Sequence, residues 1–365
     1  MGRMEAVRRA RVGSMKIVMV LYPGGAAAKS NPQILGAAEN ALGLRPFLEK
    51  AGHKVVTLTE KEHDLDRELP TTDVLVTTPF WPAYVTRARI AAAPKLKLVL
   101  TAGVGSDHID LAAAADRKVT VAEITGSNVV SVAEHAVMQI LLLVRDFLPA
   151  HQQVLDGTWD IAAAVSRSHD LEGKVVGIVG AGRIGQRTAI RLKGFDVQVL
   201  YYDFRRLSTA EEYTLGLRYA PLDDLLRRSD VVTLHCPLTP ETDGLFNPER
   251  LAAMKKGAYL VNTARGKLVD TEALAEAVRS GHLAGYAGDV WYPQPAPPDH
   301  PWRKIPHQAL TIHTSGTTLE AQQRYSDGIR DCLTRFLAGR PLDRDYLIVD
   351  GGKVVSPSYS YAFGK

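Results

Sequence analysis

Lys174-Val-Val-Gly-Ile-Val-Gly-Ala-Gly-Arg-Ile-Gly-Gln-Arg187 decides the fold. Val175 to Val179 is a short apolar, β-branched-rich run, as a buried strand of a parallel sheet should be. It passes into Gly180-Ala-Gly182-Arg-Ile-Gly185 and then into a helical pattern through Ala189, Ile190 and Leu192. Each glycine has its own task. Gly180 permits the tight turn, Gly182 lets the backbone approach a pyrophosphate, and Gly185 lets helix pack on strand. A helix that starts here turns free N–H groups and the positive end of its dipole toward an anion.

The surroundings strengthen this reading. A second apolar run, Val197 to Tyr202, follows the helix and ends in Asp203. That acid lies about 18 residues past Gly185, near the ~20 expected for a group that holds an adenosine ribose. Strand, glycines, helix, second strand and acid agree on a dinucleotide site rather than an ordinary βαβ turn.

Working outward, the flanks repeat the alternation of strand and helix. Before the glycine turn, strands are expected at Lys16–Tyr22, His53–Thr59, Asp73–Thr78, Leu96–Thr101 and Val119–Glu123, with a helix over Asn40–Gly52. After Asp203 they are expected at Val231–His235, Gly257–Val261, Gly285–Val290 and Ala309–Ile312, followed by a helix from Leu319. Val129 to Phe147 reads as one long apolar helix stopped at Pro149, crossing between domains and either contributing to a dimer interface or lying wholly in intramolecular core. The fold class is α/β, with two Rossmann-like or flavodoxin-like domains built on parallel sheets. The cofactor domain is inserted in the substrate domain. The expected boundaries are a basic tail over 1–14, a substrate domain over 15–128 and 315–365, and a dinucleotide-binding domain over 129–314. The tail from Gly339 to Lys365 should lie over the first domain.

Composition excludes several classes. At 365 residues the chain is long enough for two full cores. A net charge of +4, mixed in sign along the chain, does not argue for nucleic acid. The two cysteines, Cys236 and Cys332, make neither a disulfide framework nor a metal-ligand spacing, which fits a reducing cytoplasm with no metal. The longest apolar stretch, Ala136 to Leu148, is interrupted by Gln139, Arg145 and Asp146, so no membrane span is expected. Arg3, Arg8, Arg9 and Arg11 make Met1–Ser14 basic. Without serine richness it reads as a tail before the first strand rather than a targeting segment.

Ligands in parallel α/β sheets lie at the carboxyl ends of strands, which marks the tips at Phe80, Val104 and Asn128 as one side of a cleft. Four polar groups, Asn128, Arg265, Gln294 and His313, follow strand ends or element starts and together suit a small carboxylate. Arg265 can hold two carboxylate oxygens with its planar fork. Asn128 can donate a further hydrogen bond, and His313 can donate to the substrate or exchange a proton with it.

Asn262-Thr-Ala-Arg-Gly266, the glycine turn, Gly288-Asp-Val290 and a late histidine resemble the D-2-hydroxyacid dehydrogenase superfamily. Thr125-Gly-Ser-Asn-Val-Val-Ser-Val-Ala-Glu-His135, Trp291-Tyr-Pro-Gln-Pro-Ala-Pro-Pro-Asp-His-Pro-Trp302 and His313-Thr-Ser-Gly-Thr-Thr318 resemble, more narrowly, the NAD-dependent formate dehydrogenases. So do Thr77-Thr-Pro-Phe80 and Thr101-Ala-Gly-Val-Gly-Ser-Asp-His-Ile-Asp-Leu111. The resemblance implies formate as substrate, NAD as cofactor and a homodimer. It makes Arg265 and Asn128 the formate anchors, with the Val104 backbone N–H near the substrate and Pro79 and Phe80 as pocket walls. His313 would hydrogen-bond a formate oxygen with Gln294 as its partner. Arg183 and Ile184 would touch the pyrophosphate, Asp203 the ribose and Pro237 the adenine side. Thr263 and Arg265 would add cofactor contacts, and Asp289, Ser315 and Gly316 would orient the nicotinamide amide.

A glutamine at position 294 has a chemical meaning. Oxidising a 2-hydroxy acid removes a hydride from carbon and a proton from oxygen, which needs a base, usually a histidine backed by a carboxylate. Formate has no hydroxyl proton to lose. The alternative enzyme, a D-2-hydroxyacid dehydrogenase or glyoxylate reductase, would want that carboxylate. A nucleotide-sensing protein resembling the C-terminal-binding corepressors would not need the formate pocket at all. Asp203 favours NAD, while Arg205 and Arg206 just beyond it could embrace the 2′-phosphate of NADP if Asp203 turned away. Cys236, beside the expected adenine pocket, is either an oxidisable thiol or a buried inert one.

Overall fold

The computed structural model describes residues 13–60 and 62–360. The basic tail expected over 1–14 lies outside them up to residue 12, as do 361–365 of the C-terminal tail. Five strands come first: β1 Lys16–Val20, β2 Lys54–Leu58, β3 Val74–Thr77, β4 Leu98–Thr101 and β5 Thr120–Glu123. Seven follow: β6 Val175–Val179, β7 Gln198–Tyr202, β8 Leu217–Tyr219, β9 Val231–Leu234, β10 Ala258–Asn262, β11 Leu283–Gly288 and β12 Gln308–Leu310. β13 Leu347–Asp350 and β14 Lys353–Val354 close the series.

The chain divides into two compact units. The first ends at Thr125 and resumes over Gln322–Ser356; the second runs over Gly126–Ala321 and takes up the chain again from Pro357. The first unit holds the sheet β14-β13-β5-β4-β3-β1-β2. Its strands β5-β4-β3-β1-β2 are parallel and follow the flavodoxin-like order. The second holds the all-parallel sheet β12-β11-β10-β9-β6-β7-β8. The order reverses between β6 and β9, so the crevice at their carboxyl ends is the switch point where such sheets take ligands. β3, β4, β9 and β10 are buried along their whole length, as continuous apolar runs between helical layers must be.

Several expectations need correction. The helix expected over Asn40–Gly52 is a 3₁₀ turn, Ala41–Gly43, followed by a helix over Arg45–Lys50. Leu42 and Gly43 both take positive φ and break the run. The long helix ends at Val144, not at Pro149. Asp146 turns left-handed at φ +47, and a new helix starts at Phe147. Pro149 falls in the first turn of that helix, where its missing N–H costs nothing. β8 went unread because Leu217-Arg-Tyr219 is too short to show a period. Part of the C-terminal tail does more than lie over the first unit: β13 joins that sheet antiparallel to β5. The units part near 125 and 321 rather than 128 and 314, which places Asn128, Ser315 and Gly316 in the second unit.

Candidate active site

The three glycines of the β6 turn have three different environments. Gly180 has φ +97, and a Cβ there would meet the backbone N of Cys236 at 2.5 Å. A Cβ on Gly185 would meet the Gly180 carbonyl oxygen at 2.1 Å, so only glycine lets the helix Arg183–Leu192 press against the turn. A Cβ on Gly182 would meet no protein atom within 4 Å. Gly182 is also the helix N-cap and makes no side-chain cap, so the first N–H groups are left for an anion. Thr263, at the carboxyl end of β10, buries a hydroxyl with no hydrogen-bond partner among the described residues. An open approach at Gly182, uncapped N–H groups and an orphaned hydroxyl fit a dinucleotide. Arg183 and Ile184 occupy the first helical positions beside them.

Asp203 follows β7 and reaches back to the turn. Its carboxylate accepts from Ala181 N–H at 2.7 Å and from Arg205 N–H at 3.0 Å. On the opposite side of the switch point, burial pushes the Cys236 thiol up to about 12 and the neighbouring His235 imidazole down to about 3. A thiol so disposed is not a thiolate near neutrality, so Cys236 packs as an inert residue. Pro237 follows in the loop, its carbonyl accepting from Thr242 Oγ1 at 2.7 Å.

The polar constellation gathers at the carboxyl ends of β10, β11 and β12. Asn262, whose role sequence reading missed, clamps the first loop. Its Nδ2 donates to the Arg265 carbonyl at 2.8 Å, and its Oδ1 accepts from Ala264 N–H at 3.0 Å. Arg265 is half-buried, with Nη1 donating to the Ala264 carbonyl at 2.7 Å. Gly266 must be glycine because a Cβ there would lie 2.5 Å from the Trp291 backbone. That close approach brings the Arg265 loop against the chain leading to Gln294. The Gln294 amide oxygen lies 2.9 Å from His313 Nδ1. His313 takes φ +62, a costly conformation for a non-glycine residue.

Asp289 holds the loop that carries His313. Its fully buried carboxylate accepts from Thr311 Oγ1 at 2.6 Å, Thr314 N–H at 2.8 Å and Ser315 N–H at 2.9 Å. Since the Thr311 proton goes to Asp289, His135 must donate its Nε2–H to Thr311 Oγ1 across 3.1 Å. Neither His135 nor Thr311 was singled out from sequence, because their link spans 176 positions. Asn128 caps the long helix and buries an Oδ1 with no partner among the described residues. A Cβ on Gly316 would sit 2.7 Å from Asn128 Nδ2, so glycine at 316 is what makes room for Asn128.

The first unit assembles a smaller group. Gly103, at φ +142, packs where a Cβ would touch the Pro79 ring at 3.0 Å, which brings the Val104 loop against Pro79 and Phe80. The Phe80 ring sits between those of Tyr22 and Tyr325, at centroid distances of 5.8 and 6.1 Å. Glu123, also missed, pins the same loop by accepting from Gly105 N–H at 3.0 Å and Ser106 Oγ at 2.9 Å.

Residues 137–315 match the model of the D-isomer specific 2-hydroxyacid dehydrogenase NAD binding domain. The mitochondrial formate dehydrogenase of Solanum tuberosum is 50% identical over 355 residues, 96% of this chain and 93% of its own. The chain belongs to the formate dehydrogenase family. A solved formate dehydrogenase of Granulicella M. superposes with a TM-score of 0.90 at 45% identity, covering 93% of this chain and 100% of that one. The NAD-dependent formate dehydrogenase from Staphylococcus aureus, solved in complex with NAD, gives 0.86 at 49% identity, with 92% and 99% covered. As a formate dehydrogenase family member, the chain keeps Asn128, Arg265, Gln294 and His313 within one unit. Among the described residues, no helix is long and apolar enough to cross a membrane.

Proposed function

We propose that this chain oxidises formate to carbon dioxide with direct hydride transfer to NAD. The observation that carries the reading is the contact of His313 Nδ1 with a neutral amide, Gln294. A histidine partnered this way is oriented without negative charge being added beside an anionic substrate. Arg265 holds both carboxylate oxygens and Asn128 donates to one of them. With the Gln294 amide turned so that its NH2 donates to Nδ1, the neutral His313 ring carries its hydrogen on Nε2 and presents it to the anion.

Bound NAD supplies the nicotinamide carbon that takes the hydride. Arg183, Ile184, Asp203, Pro237 and Thr263 contact its pyrophosphate, ribose and adenine portions. Ser315 and Gly316 orient the carboxamide, with Asp289 holding their loop. Pro79 and Phe80 wall the substrate and Val104 offers its backbone N–H. No proton has to leave formate, so these residues act by positioning and electrostatics. Dry apolar walls favour the dispersed charge that develops as formate becomes a neutral product.

Absorbance at 340 nm with NAD tests the reading, with formate, glycolate and D-lactate as parallel substrates. NADH is expected only with formate. Turnover of a hydroxy acid without formate would give His313 a base partner, and tight NAD binding without turnover would favour the sensor. Arg265→Ala should nearly abolish formate oxidation; wild-type-like kinetics would remove Arg265 from the mechanism.

We also propose a homodimer. Val130, Met138, Phe147, Leu148, Leu155, Trp159 and Ile161 all lie exposed between residues 129 and 165, with Trp159 at 80%. Apolar residues gathered in this way mark an interaction surface. Sedimentation equilibrium checks it. The two cysteines are free, which suits a cytoplasmic protein; the Solanum relative is a mitochondrial one, and cell fractionation decides between the compartments.

A further inference from the structure

Beyond β7 the chain places two opposite charges on opposite sides of that strand. Asp203 reaches toward β6, where its carboxylate accepts from Ala181 N–H in the glycine turn at 2.7 Å. Arg206, three residues on, reaches the other way. Its guanidinium lies 5.1 Å from the centroid of the Tyr219 ring on β8, the edge strand. What holds it there is Glu212, in the helix Thr209–Leu215. Glu212 Oε1 accepts from Arg206 Nε at 2.9 Å and Oε2 from Nη2 at 3.3 Å, a two-point pairing of fork and carboxylate.

Glu212 is itself fixed. The fully buried Tyr201 donates its hydroxyl to Glu212 Oε1 at 2.7 Å and accepts from Leu207 N–H at 2.9 Å. The Glu212 side chain is only 13% exposed, while that of Arg206 is 63% exposed. The network therefore sets both the path of the loop and the direction of the guanidinium.

We propose that Glu212 is a specificity-determining residue: by holding Arg206 over β8 it keeps a cation away from the adenosine ribose, and so maintains the preference for NAD over NADP. A guanidinium brought to the ribose could pair with the 2′-phosphate that only NADP carries. Asp203 repels that phosphate, and Glu212 withholds Arg206, one of the two arginines that could offset the repulsion. The inference rests on Asp203 marking the ribose, as in the proposed function.

The test is Glu212→Gln, which keeps the size and the Tyr201 contact but removes the charge that binds Arg206. The readouts are kcat/KM for NAD and NADP, and the Kd of each measured by quenching of intrinsic fluorescence. The ratio of NADP to NAD selectivity should rise about tenfold, the scale of one new charge-assisted contact. The gain should vanish in the double variant Glu212→Gln/Arg206→Ala. An unchanged ratio in a variant of normal thermal midpoint overturns the proposal, as does a gain that persists without Arg206. If Glu212→Gln fails to fold, Glu212→Asp supplies the comparison: a shorter carboxylate that still binds Arg206 should leave the ratio unchanged, and a tenfold rise there overturns the latch. Failure of the wild type to bind NAD would instead remove the dinucleotide site itself, and the proposal with it.

Discussion

Gln294→Glu is the perturbation that bears most directly on the chemistry. It places a carboxylate where an amide oxygen now sits 2.9 Å from His313 Nδ1. Adding the width of the imidazole ring and a second hydrogen bond of about 2.8 Å puts the new charge about 8 Å from a formate oxygen. At an effective permittivity of about 20, two like charges at that distance repel by about 2 kcal/mol. That is roughly a thirtyfold weakening of formate binding. The repulsion fades as the substrate's charge passes to the cofactor, because carbon dioxide is neutral. The KM for formate should therefore rise by more than kcat/KM falls, which leaves kcat somewhat higher. The same carboxylate would let His313 act as a base, so glycolate oxidation should become measurable. Steady-state kinetics with formate and glycolate at saturating NAD read both effects. An unchanged KM for formate, with NAD binding intact, would refute the placement of Gln294 and His313 beside the substrate.

Three further outcomes follow from the geometry. Gly182→Ala should fold normally, since its Cβ meets no protein atom within 4 Å, yet weaken NAD binding about tenfold. Gly185→Ala, with a Cβ 2.1 Å from the Gly180 carbonyl oxygen, should lose about 1–3 kcal/mol of stability; calorimetry with and without NAD separates them, and equal behaviour would contradict the division of roles. Asp289→Asn presents an NH2 group to donors at 2.6, 2.8 and 2.9 Å, so roughly 2–4 kcal/mol of stability and most of kcat should be lost. A normal melting point with normal kcat would deny Asp289 the loop. His235 ordinarily titrates near 6.5, and burial depresses it to about 3. Between those values the unfolded chain binds the extra proton, so stability falls with falling pH, by at most roughly 1.4 kcal/mol per pH unit. His235→Asn should flatten that slope in urea titrations between pH 6.5 and 4, and an unaltered slope would show that another group carries it.

Much of the framework was legible because its signals are local. Val175–Val179 reads as a buried strand from its own five residues, and Gly180, Gly182 and Gly185 announce a turn by spacing alone. Arg265 and His313 stood out because each follows an apolar strand. Contacts that turn these positions into a working arrangement were less visible. Asn262 looked like one polar residue among several, but its amide accepts from Ala264 N–H and donates to the Arg265 carbonyl, clamping the loop. Glu123 resembled a strand-end carboxylate, but it is buried and holds the Val104 loop. Pro149 was read as a helix stop, whereas Asp146 in the left-handed region ends one helix and leaves Pro149 to begin the next.

Sequence by itself determined the two alternating α/β runs, the dinucleotide turn and the residue types available for holding a small carboxylate. Those features depend on periodicity and on backbone freedom at single positions, both of which act within a few residues of chain. Tertiary structure alone decided where Arg206 points, why Gly266 and Gly316 must lack side chains, and that Asp289 holds the His313 loop through Thr311, Thr314 and Ser315. Apart from the Arg206–Glu212 pair, six residues apart, each of these depends on a side chain meeting backbone or polar groups from a distant part of the chain. No pattern in the sequence encodes such a meeting until packing of the sheets brings the partners within hydrogen-bond reach.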